Sequence, residues 1–145
     1  MFAADGGYDP GESSHAALLE VRRSAEKHPA VEHARGHPSS LFTRVRMDVV
    51  PEHLGRSSNT GVLTVRWYAG DTRDARPEFS FHYSEESGFD CGWHHEPNPH
   101  VDGWGQYQKR QSASDEYQYV AVSFGSIQPG RVFWEVLERL ESGGK

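Results

Sequence analysis

The chain of 145 residues holds one cysteine, Cys91, and lysine only at Lys27, Lys109 and Lys145. A lone thiol cannot close an internal disulfide, so the fold is expected to stand without an oxidising compartment. It cannot build a multi-cysteine zinc ribbon either. No apolar run approaches the roughly 20 residues of a membrane-crossing helix, and no charged-then-apolar leader opens the chain. The expectation is a cytoplasmic protein with no membrane segment. Excess positive charge is also missing. The formal net charge of −6 disfavours a protein that lives by wrapping duplex DNA, and fits a cationic partner or simple solubility. There is no Gly-rich phosphate loop and no Gly-x-Ser-x-Gly.

What is present is aromatic. Rings make up 12% of a chain whose hydrophobic fraction is 35%. Each large ring buries roughly 150–250 Å², so a lean composition still supports a core. The length suits one domain. Residues 1–12, rich in Gly and Asp, read as a flexible tail, and 13–145 as a single domain.

Periodicity supplies the elements. A helix is expected after Ser13 or Ser14, with Leu18, Val21 and Ala25 on its buried stripe and Pro29 ending it. "AVEHARGHPSS" reads as a polar connector. From Leu41 the period becomes two, and "VLTVRWYA" repeats it. "EFSFHYS" and "FDCGWH" read as a hairpin about "EESG", with Gly88 at a left-handed position. Parity puts Phe79, Phe81, Tyr83, Phe89, Cys91 and Trp93 on the core face, and sets Tyr83 opposite Phe89. The same register places His82 opposite Asp90 on the other face, with His94 further along it. "EYQYVAVSF" is a candidate last strand. Pro129 opens a helix striped by Val132, Phe133, Val136, Leu137 and Leu140. The predicted class is α+β: a mostly antiparallel sheet of about five strands, with an N-terminal and a C-terminal helix packed on one face.

The chemistry concentrates in "FDCGWHHEPNPHVDGWGQYQKR", Phe89 to Arg110. Histidine changes charge near neutral pH and is the commonest general acid or base. A ribonuclease without a metal needs one group to take the 2′-hydroxyl proton, one to protonate the leaving oxygen, and a cation for the phosphate. His94 and His100 are the expected acid–base pair, oriented by His95 and Glu96. Arg66, Lys109 and Arg110 are the expected phosphate cations, and Trp104 or Tyr107 a stacking surface for a base.

Two other readings compete. The aromatic loop can be a non-catalytic docking surface, since Trp, Tyr and Arg anchor interfaces. His94, His95 and His100 also offer metal ligands, but their spacing matches no standard zinc pattern, and adjacent residues of a strand point to opposite faces. No cofactor is expected. Cys91, on the core face, reads as a small buried residue rather than a nucleophile. An exposed edge strand would permit a homodimer without requiring one.

From about Val45 to Arg110 the chain resembles small haloarchaeal proteins related to the TumE family of toxin–antitoxin toxins. The likeness lies in "VVPEHL", "LTVRWY", "FSFHYSE" and above all "CGWHHEPNPH", and continues in "RVFWEVLERL". It implies a toxin whose partner is an antitoxin with a DNA-binding domain, and a nucleic-acid target. The family's histidine-rich block falls on His94, His95, Asn98 and His100.

Overall fold

In the computed structural model, which describes residues 7–97 and 103–143, helix α1 runs Pro10–Glu26. It starts earlier than Ser13 because Asp9 caps it, accepting from the Gly11 and Glu12 backbone N–H groups. Such a cap is worth about 1 kcal/mol. Residues 10–12 are therefore helix rather than tail. Leu18, Val21 and Ala25 are buried, as the stripe requires. Helix α2 (Pro129–Glu141) opens on Pro129 and buries all five residues of its predicted stripe.

Between the helices lie seven strands: β1 (Val31–His37), β2 (Arg44–Val49), β3 (Gly61–Tyr68), β4 (Glu78–Glu85), β5 (Asp90–His95), β6 (Gly105–Arg110) and β7 (Gln118–Ala121). They form one sheet in sequence order, every neighbour antiparallel. The expectation of about five strands falls short by β1 and β6. In β1 the helix-side positions facing Val45 and Met47 are Gly36 and Ala34, so small residues hide the alternation. Gly36 must be small: a Cβ there would lie 2.2 Å from the Phe42 ring. In β6 the motif's polar residues conceal a strand whose inward side chain is Tyr107.

The β4–β5 hairpin keeps the predicted faces but shifts by one pair. Tyr83 faces Cys91, Phe81 faces Trp93 and Phe79 faces His95. The turn is a three-residue loop closed by Glu85 N–H donating to the Phe89 carbonyl, with Gly88 at φ 100°. Phe89 belongs to the end of the turn, which is why the pairing moves.

Helix α1 lies against β1–β3 and α2 packs beside α1. The core between helices and sheet joins Leu18, Val21, Phe133 and Leu137 to Val45, Leu63, Val65, Phe81, Tyr83 and Trp93. At one end Arg56 donates to both carboxylate oxygens of Glu85, which also accepts from the Tyr83 hydroxyl. Burial pulls Glu85 upward, but its bonds to Arg56 and Tyr83 outweigh that and hold it below the ordinary carboxylate range. Among the described residues, no helix packs on the other face of the sheet. There alternation delivers the polar residues.

Candidate functional site

Antiparallel pairing aligns one row across the helix-free face: His37, Arg44, Arg66, Ser80, His94 and Gln106, on β1 to β6 in order. The next row holds Arg35, Arg46, Thr64, His82, Gly92 and Gln108. His94 reaches this face because β5 alternates from buried Trp93, and Glu96 follows it on the same side as the strand ends. His94 Nδ1 lies 3.5 Å from Glu96 Oε1.

Both residues line a cavity of about 630 Å³. Arg66 and Tyr68 of β3 and Glu78 and Ser80 of β4 contribute to its polar wall. Leu41 and Phe42, on the β1–β2 connection, and Gly11 of α1 contribute the apolar side. A half-buried imidazole, a carboxylate and a guanidinium thus border one hollow with a largely apolar lining. That combination can move a proton beside an anion held by a cation.

Behind His94 sits His82, with its Nε2 3.4 Å from Asp90 Oδ1. Asp90 in turn accepts from Arg110 Nε at 2.9 Å. The two imidazoles meet above Gly92. A Cβ at that position would lie 3.0 Å from His82 Nδ1 and 3.2 Å from His94 Nε2, tighter than ordinary contact with either ring. His94 Nε2 is buried without a hydrogen-bond partner, and Asp90 Oδ1 and Gln106 Oε1 share that condition. Burial lowers the pKa of His94 most; Glu96 raises it and His82 lowers it further. Burial also lowers His82, opposed by Asp90 and reinforced by Arg110 and Arg66.

The other expected residues separate. His95 points to the helix side, where its Nδ1 is 2.8 Å from the Pro77 carbonyl and its ring stacks on Phe79. It therefore does not orient His94. Trp104 packs with His95 on that same side, under the Arg76 guanidinium. Tyr107 lies in the core against Trp93, its hydroxyl pushed upward by burial, and offers no free ring face. Lys109 shares that side by parity, opposite Cys91. Arg110 is on the helix-free face but is engaged by Asp90 and covers Tyr117. His100 lies outside the described residues. Burial pushes the Cys91 thiol up to about 12, in line with an inert core residue.

One metal ion cannot take both His94 and His95, which face opposite ways. Among the described residues no three of His, Cys, Asp and Glu come together as a ligand set. No helix among them is long and apolar enough to cross a membrane. His82 and Asp90 are the additions. Their signal was present in the sequence as strand parity, which puts both on the face of His94.

The chain matches no family model, no curated protein and no solved structure.

Proposed function

We propose that the protein is a metal-independent ribonuclease acting on single-stranded RNA, with His94 and Glu96 as its acid–base pair. The observation that carries this reading is that His94, Glu96 and Arg66 border one cavity. Glu96 takes the proton of the 2′-hydroxyl, and that oxygen attacks the adjacent phosphorus. The bond from phosphorus to the 5′-oxygen breaks, and protonated His94 gives the proton of Nδ1, the nitrogen on the Glu96 side, to the departing oxygen. A 2′,3′-cyclic phosphate and a 5′-hydroxyl result. Arg66 holds the non-bridging oxygens as charge builds on them. Burial lowers the proton affinity of His94 most, Glu96 opposes that, and His82 lowers it further from behind.

The resemblance to TumE-type toxins supports a wider reading, in which this enzyme is the cytoplasmic toxin of a toxin–antitoxin pair. Its antitoxin would carry the DNA-binding domain. Co-expression with the neighbouring reading frame and recovery of a stable complex test that partner.

The roles of the two catalytic groups are separable. A 3′-nucleotide 4-nitrophenyl ester has a leaving group that needs no proton. His94→Gln is expected to lose about 10²–10⁴-fold on a dinucleotide yet keep most of its rate on that ester, whereas Glu96→Gln loses both. Wild-type rates for both variants on both substrates would overturn the assignment.

A further inference from the structure

The helix-free face carries more positive charge than the cavity uses. Arg44 and Arg66 are directly opposed across β2 and β3, and Arg35 and Arg46 across β1 and β2. All four are exposed. Among the described residues none of them has an acidic side chain within ion-pair distance. Like charges directly opposite one another destabilise a sheet. The chain as a whole has an excess of acids, with a net charge of −6, yet among the described residues none of them pairs with these arginines. Asp48, in the row beyond Arg46, and Glu78, in the row beyond Arg66, are carboxylates on the same face. Two opposed arginine pairs without an ion-pair partner among the described residues form a surface complementary to an anion.

From this juxtaposition we infer that the β1–β3 arginines are a backbone track for single-stranded RNA, which leads a strand into the His94 cavity. The inference rests on the ribonuclease reading for its direction, and it adds how a substrate longer than a dinucleotide is held. Arg44, Arg66, Ser80 and His94 stand in one row, so the run from β2 to β5 spans about 14 Å, three inter-strand spacings. Guanidinium forks match phosphate oxygens and stay charged at any working pH. Beside Arg66 the cavity turns apolar at Leu41, Phe42 and Trp67, which suits the flat face of an unpaired base. A base locked in a duplex cannot enter there, so the occupant is a single strand. An acidic peptide would satisfy the arginines but would leave that apolar wall unused.

The test uses the full chain and a labelled 12-nucleotide 2′-O-methyl RNA, which binds but cannot be cleaved. Fluorescence anisotropy is followed as salt is raised. Each phosphate contact contributes about 0.7 to the slope of log affinity on log salt for a single strand. Wild type is expected to show a slope of about −2 to −3, and Arg35→Gln/Arg46→Gln to weaken binding and lose about 1.4 of that slope. The double variant should cleave a dinucleotide at the wild-type rate, and a thermal melt confirms its fold.

Absence of 12-mer binding by wild type at low salt overturns the track. So does an unaltered slope in the double variant. Equal affinity for a duplex, or for poly-glutamate with the same arginine dependence, also overturns it and gives the face to a different partner. Arginine-dependent 12-mer binding without any RNA cleavage supports the track while removing the catalytic reading, so the two fail separately.

Discussion

His82 and His94 share the space above Gly92, with His82 Nδ1 and His94 Nε2 each close to the point a Cβ would occupy. Two imidazolium charges so placed repel, and burial opposes either one. Both rings are accordingly held below the ordinary imidazole range, burial being the larger cause.

A pH profile follows from the sign of these effects. The proposed acid, His94, must be protonated, and its pKa lies below the ordinary value of 6.5. The proposed base, Glu96, must be ionised. Activity is thus expected to peak on the acid side of 6.5 and to fall as pH rises through neutrality. His82→Gln removes a group that lowers His94, so its alkaline limb should move to higher pH. A profile still rising above pH 8 in wild type contradicts this assignment.

Gly92→Ala tests the shared space without touching either ring chemically. The added methyl would lie 3.0 Å from His82 Nδ1 and 3.2 Å from His94 Nε2, so the rings must give by a few tenths of an ångström. The expected result is at least a tenfold loss of cleavage with a stability change of about 1–2 kcal/mol. Chemical denaturation and cleavage rates on the same preparation check both figures.

The other end of the sheet makes a prediction about stability alone. Arg56→Leu leaves the Glu85 carboxylate, its side chain 3% exposed, without its counter-ion. Breaking such a pair is expected to cost about 3 kcal/mol, or roughly 10 °C in Tm. Because Glu85 is held below the ordinary carboxylate range, the pair contributes fully above that range. The contribution fades as pH falls through the lowered pKa. The difference in Tm between wild type and Arg56→Leu should accordingly shrink in strong acid, with cleavage at the unperturbed optimum unchanged.

Strong periodicity was legible in the sequence and weak periodicity was not. Helix α2, the cores of β2 to β5 and the left-handed Gly88 follow from apolar spacing and one turn residue. Strand β1 escaped because Ala34 and Gly36 occupy its inward positions, and β6 because Gln106, Gln108 and Arg110 carry its visible chemistry. Parity predicted that His94 and His95 face opposite ways, and the structure has them so. The same rule, followed through to β6, would have placed Tyr107 in the core with Trp93. What no local pattern could supply is the approach of Leu41, Phe42 and Gly11 to Arg66 and His94. That cavity wall is a tertiary contact between segments far apart in the chain.

The central claim is that His94 and Glu96 act on a ribose-linked phosphodiester, and product analysis tests it most directly. A short single-stranded RNA incubated with the purified chain in EDTA at pH 5.5–6.5 is resolved by mass spectrometry, beside a 2′-deoxy control and His94→Gln. The account predicts 2′,3′-cyclic phosphate and 5′-hydroxyl ends from wild type alone, and an intact 2′-deoxy strand. Intact RNA in every lane, or equal cleavage by His94→Gln, contradicts it.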